Sequence, residues 1–143
     1  MSSKSLTASD IGAACVCLAV RKTARLVARR YDDAMRPLGI TSGQFSVLAA
    51  LLRDGAVPLG ALAEQLGMDR TTLNRNLKPL ELQKLVETTH DEADARVRGL
   101  VLSNKGRILV ERAIPIWTGV QAESHHRLGQ NWPEFRAQLQ SLT

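Results

Sequence analysis

The stretch LGMDRTTLNRNLKPLE, residues 66–81, decides the reading of this chain. On a helix advancing about 100° per residue, Leu77 and Leu80 fall within about 40° of Leu73. Thr71, Arg75 and Lys78 point away from them, and Thr72 and Asn74 flank that outer side. From Arg70 to Lys78 there is no acid. Such a face repels itself in water and finds its use against a polyanion. Arg70, Arg75 and Lys78 suit phosphates, an arginine can fork onto guanine, Asn74 can pair with adenine, and Thr71 and Thr72 can touch phosphate or a thymine methyl. Asp69, just before the helix, has the chemistry of an N-cap. For a helix standing alone an ordinary solvated face would be the simpler explanation, so its neighbours matter.

Before it, PLGALAEQLG (58–67) predicts a short helix with Pro58 near its start, Gly67 just past its end, and Leu59, Leu62, Ala63 and Leu66 on one face. Two short helices joined by a few residues containing glycine make a helix-turn-helix. After it, 86–90 and 97–102 have β-branched or alternating character and are separated by the polar turn DEADAR, predicting a hairpin that makes the unit winged. Asp91, Glu92 and Asp94 would repel phosphates. Arg96 and Arg98, however, alternate along the strand leaving the turn and share a side. An arginine at a hairpin tip suits the narrow, electronegative minor groove, and Asp94 could aim Arg96 by a charge-assisted hydrogen bond.

Long helices flank this unit. Residues 1–9 are small and polar and read as frayed; 10–38 read as one long helix. Its stripe of Ala13, Val16, Cys17, Val20, Ala24, Val27, Ala28, Tyr31, Met35 and Leu38 predicts a core face. Opposite lie Lys22, Arg25, Arg29 and Arg36, but nearer the start that side carries Ile11, Ala14, Cys15 and Leu18. An end that is apolar all round calls for cover from a second subunit. Thr41 and Gln44 form a capping box for a second helix that Gly55 would end. Ser103 caps a long helix that Pro115 could bend and Gly129 closes, and Asn131 caps a last short one. The expected fold is mainly α with a small β-hairpin wing. One domain spans 1–143, with a winged helix-turn-helix lobe at 41–102 between N- and C-terminal dimerisation helices at 10–38 and 103–143.

Composition narrows the function classes. A chain of 143 residues with net charge +5 is long enough to bury its own core and favours a polyanionic partner. Two cysteines do not make a disulfide scaffold, and no stretch reads as a membrane span or a convincing export signal, so a cytoplasmic protein is expected. His90, His125 and His126 lack ligand spacing for a metal. No nucleophile, base and oxyanion-stabilising group come together, and there is no CxxC. Neither enzyme activity nor a cofactor is expected.

RTTLNRNLKPLE followed by LV, and then DEADARVRGLVLSNKG, resembles the recognition helix and wing of the MarR family of bacterial transcription regulators. ITSGQFSVLAAL resembles that family's second helix and AIPIWTGVQ its fifth. The resemblance implies a homodimer with interlocked terminal helices that binds a pseudo-palindromic double-stranded DNA operator, usually as a repressor. It implies that Arg96, supported by Asp94, enters the minor groove while Thr71, Thr72, Asn74, Arg75 and Lys78 face the major groove. A small-molecule effector, commonly an aromatic or phenolic anion, is implied between the dimerisation helices and the lobe; Arg25 or Arg29 could meet its carboxylate. Where the family commonly has glycine after the recognition helix this chain has Lys84, strained if that position needs a positive φ.

Two alternatives stay open. The spacing of Cys17 and Tyr31 resembles the organic-hydroperoxide-sensing branch, in which a first-helix cysteine is oxidised, although Ser42 stands where a second tyrosine is expected. The two residues are roughly 21 Å apart along one helix, so Tyr31 of one subunit would meet Cys17 of the other. Cys15 and Cys17, about 200° apart on a helix, could form no disulfide and share no metal without unwinding. The other alternative is a winged-helix module used for protein contacts.

Overall fold

The computed structural model describes residues 5–90, 92–94, 96–129 and 131–143. Along the chain run α1 (Ala8–Ala14), α2 (Val16–Met35), a 3-10 turn (Arg36–Leu38), α3 (Ser42–Ala50), β1 (Val57–Pro58), α4 (Leu59–Leu66), α5 (Arg70–Leu82), β2 (Val86–His90), β3 (Arg98–Leu102), α6 (Asn104–Arg127) and α7 (Trp132–Gln140). The fold is mostly helical with one small antiparallel sheet, in the order β1-β3-β2.

Local chemistry accounts for most boundaries. Thr41 and Gln44 form the expected reciprocal capping box at the start of α3. Gly67 closes α4 in the left-handed conformation at φ 61°. Asp69 Oδ1 accepts the Thr72 N–H at 2.7 Å to start α5, and Ser103 Oγ accepts the Gly106 N–H at 2.9 Å to start α6. β2 and β3 pair from Val86 opposite Leu102 to His90 opposite Arg98, as a hairpin should.

Several expectations are corrected. The 10–38 helix is two helices. Residue Cys15, at φ −75° and ψ 105°, breaks it, and its Sγ accepts the Leu18 N–H at 3.3 Å as the cap of α2. Nor is the chain before residue 10 frayed throughout, because Thr7 and Asp10 form a capping box for α1. The end of α3 comes at Leu51, which already bonds back to Val47 and Leu48, so Gly55 (φ 81°) serves the following turn instead. Asn131 begins α7 without capping it; its Nδ2 donates to Glu134 Oε2 at 2.6 Å. The two-residue strand β1 went unread in the sequence. Val57 lies opposite Leu100 and Pro58 opposite Gly99, on the free edge of β3, where a proline without N–H is tolerated.

The core sits in the lobe. Leu48, Leu62, Leu73, Leu77, Leu80 and Leu100 are fully buried, joined from the flanks by Met35, Val110 and Ala113. The long stripe on the first helices is core only at its lower end. Met35 is buried and Val27, Ala28, Tyr31 and Leu38 are half-buried, but Ala13, Val16, Cys17, Val20 and Ala24 are exposed in the single chain.

The exit from α5 is built with care. Leu85 N–H bonds back to Leu80 O at 2.9 Å and Lys84 N–H to Glu81 O at 2.9 Å, the paired bonds of a Schellman cap. Such a cap needs a left-handed residue, and Lys84, at φ 58°, is the one non-glycine residue with positive φ among the described residues. Its conformation is held from outside. Ser103 Oγ donates to Lys84 O at 2.7 Å and Lys105 Nζ to Gln83 O at 2.9 Å. Gly106 completes the clamp, since a Cβ there would lie 2.1 Å from Leu85 O.

Candidate nucleic-acid interface

On α5, Arg70, Thr71, Asn74, Arg75 and Lys78 are exposed and Thr72 is half-buried, while Leu73, Leu77 and Leu80 are buried beneath them. The amphipathic division read from the sequence is thus the division between core and surface. Hydrogen bonds from Thr72 hold the Asp69 carboxyl below the usual carboxylate range, so its charge is fixed at the positive end of the helix dipole. Behind the outer face, Asn76 Nδ2 donates to Thr72 O at 3.0 Å and its Oδ1 packs where a Cβ on Gly43 would be, 2.9 Å away. Glycine lets α3 approach the recognition helix this closely.

The wing residues separate in role. Arg96 is exposed near the hairpin tip, and its backbone N–H donates to Asp94 Oδ1 at 3.0 Å. This charge-assisted contact shapes the turn that carries Arg96. Asp91 lies outside the described residues. Arg98 does not stand out beside Arg96. Its guanidinium folds onto α5, with Nη2 donating to Glu81 Oε1, Nη1 to Asn74 Oδ1 at 3.2 Å, and Nε to Thr88 Oγ1 at 3.4 Å. Glu81 Oε1 also accepts the Thr88 hydroxyl at 2.5 Å. Burial disfavours the Glu81 charge, but the hydrogen bonds from Thr88 and Arg98 and the Arg98 charge outweigh it and hold the carboxyl below the ordinary glutamate range.

Glu81, Thr88 and Asn76 were missed in the sequence. A signal for the first existed: Glu81 is seven residues, about two turns, from Asn74 and therefore on the same face. Partnership with Arg98 depends on how β3 crosses that face, which no local pattern records.

Above the lobe, α2, α3 and α6 enclose an open, mostly apolar cleft of about 920 Å³ lined by Ala24, Val27, Tyr31, Phe45, Ile114 and Trp117 among others. Arg25 and Arg29 are not among its lining residues. The Tyr31 hydroxyl donates to Gln121 Oε1 at 2.7 Å. Cys15 is half-buried and Cys17 exposed. Among the described residues there is no cluster of metal-ligating side chains and no helix long and apolar enough to cross a membrane.

A helix-turn-helix whose second helix carries an acid-free outer face, followed directly by an antiparallel wing, defines a winged helix-turn-helix DNA-binding protein. Comparison with known proteins gives the family. The MarR family model matches residues 38–97. The chain is 39% identical to the Mycobacterium tuberculosis transcriptional regulator MosR in its DNA complex, covering 90% of this chain and 92% of that one with a TM-score of 0.81. It is 32% identical over 100 residues to the Escherichia coli O157:H7 transcriptional regulator HosA, 70% of this chain and 74% of that protein. It is 29% identical over 127 residues to the Bacillus subtilis organic hydroperoxide resistance transcriptional regulator, 89% of this chain and 86% of that protein. The chain belongs to the MarR family and is a DNA-binding transcriptional regulator.

Proposed function

We propose that the chain acts in the cytoplasm as a homodimeric repressor on a pseudo-palindromic operator, with 41–102 as its DNA-binding lobe and 10–38 and 103–143 as its dimerisation region. The observation that carries this reading is the exposed cationic face of α5 beside Arg96. Thr71, Thr72, Asn74, Arg75 and Lys78 meet the major groove, Arg70 the phosphates at its edge, and Arg96 the minor groove. A partner is called for by α1 and the upper part of α2, which leave Ile11, Val16, Leu18 and Val20 between 39% and 58% exposed. The effector is a small aromatic compound held in the cleft between α2, α3 and α6, where Phe45 and Trp117 offer apolar rings and Tyr31 a hydroxyl. Binding of the duplex upstream of the chain's own coding region, followed by fluorescence anisotropy, tests the proposal. Two protomers per duplex and steep salt dependence are expected; salt-independent binding would point to a protein-docking module instead.

A second reading, control by thiol oxidation, is favoured by the break at Cys15. A continuous helix would hold Cys15 and Cys17 on opposite sides, but Cys15, the N-cap of α2, lies outside helical geometry. An organic hydroperoxide would oxidise the Cys17 thiolate to sulfenic acid and leave as the alcohol; the Cys15 thiol would then displace water to form the disulfide. Tyr31, bonded to Gln121, is left out of this version. Loss of operator binding on hydroperoxide treatment that persists in Cys17→Ser would exclude it.

A further inference from the structure

The contact between Arg98 and Asn74 bears on which base the recognition helix reads. Arginine has donors only, so the atom of the Asn74 amide facing Nη1 at 3.2 Å must be the carbonyl oxygen. Among the described residues, the Asn74 Nδ2 has no protein partner, and the residue is exposed. Arg98 is itself not free to turn away. Its side chain is 30% exposed, paired with Glu81, and backed by Thr88, which bonds to both.

We infer that Arg98 is a specificity-setting positioning residue: by occupying the carbonyl oxygen of Asn74 it makes that side chain a hydrogen-bond donor, selecting guanine over adenine. The inference rests on α5 lying in the major groove. An asparagine that pairs with adenine uses both ends of its amide, Nδ2 donating to N7 and Oδ1 accepting from the N6 amino group. Here the guanidinium already lies against Oδ1, so an adenine amino group approaching that oxygen meets a cation and a second set of donors. Guanine presents only acceptors there, N7 and O6, which suit the two Nδ2 hydrogens and the adjacent positive charge. Glu81 takes part without touching DNA. It neutralises Arg98 and fixes its direction, which explains an acid on the face of a helix otherwise stripped of them. The wing and the recognition helix thereby read the duplex as one body, since the residue that aims Asn74 is carried on β3.

Selection of duplexes from a randomised pool tests this. Wild-type protein defines the site, and Asn74→Ala identifies the base pair whose preference Asn74 sets. At that pair wild type should favour guanine over adenine by about fivefold or more. Arg98→Met should erase or reverse that ratio while leaving preferences elsewhere in the site in place, even if overall affinity falls because Glu81 is unpaired. Arg98→Lys, whose single ammonium pairs with Glu81 without also reaching Asn74, should lower the same ratio and serves if the methionine variant does not fold. An unchanged guanine-to-adenine ratio in the folded Arg98 variants, or a wild-type preference for adenine, would overturn the inference while leaving the DNA-binding role intact. Failure of the wild type to select any sequence would instead remove the DNA reading on which it stands.

Discussion

The lobe and the N-terminal helices are made from similar apolar residues and end up in opposite conditions. In α5, Leu73, Leu77 and Leu80 are completely buried by the lobe's own elements, whereas α1 buries no residue and α2 buries only Met35. The difference follows from position. Around α5, α3, α4 and the wing close on the leucines from several sides, whereas α1 and the upper turns of α2 run beyond the lobe. The lobe's hydrophobic stabilisation is therefore intramolecular. In the proposed homodimer, that of the N-terminal helices would come from the second chain and depend on protein concentration.

The largest effect should come from opening the lobe. Leu77→Ala is expected to cost about 2–5 kcal/mol in denaturant unfolding, because its surroundings are closed and cannot collapse into the gap. Gly106→Ala would ordinarily favour a helix, but the collision with Leu85 O should make it destabilising by about 1–3 kcal/mol. Val16→Asp should leave the lobe folded yet weaken self-association about tenfold or more in sedimentation equilibrium, as expected for a charge placed in an apolar interface. If it unfolds the lobe equally, the contrast between the two regions is wrong. Lys84→Gly, which removes a left-handed lysine, should raise stability by up to about 1 kcal/mol. The smallest effect concerns pH. Because the folded Glu81 carboxyl titrates below its unfolded value, its contribution is present above the ordinary glutamate range and is lost as pH falls through the depressed value. Glu81→Gln should flatten that acid limb in thermal melts.

Helix caps and amphipathic faces were legible in the sequence because they depend on residues three or four apart. Thr41 with Gln44, Asp69, Ser103 and the leucines of α5 all fell where local chemistry put them. The break at Cys15 was not legible, since IGAACVCLAV keeps apolar periodicity through it and contains neither proline nor a polar cap. β1 was hidden by its length, two residues that gain strand character only by pairing with Leu100 and Gly99. On the candidate site, the exposed residues of α5 could be read from one helix alone. Arg98 could not, because alternation along β3 puts it on the side of Arg96 but says nothing of Glu81 and Asn74 waiting opposite.

The central claim is that the outer face of α5, presented by the lobe, binds a DNA groove. It is tested most directly by measuring operator affinity against salt concentration for wild type and Lys78→Ala. Wild type should lose affinity steeply with salt, and Lys78→Ala should reduce that slope by about one, as expected for loss of one phosphate contact. A flat wild-type profile, or a slope that Lys78→Ala leaves unchanged, would contradict it.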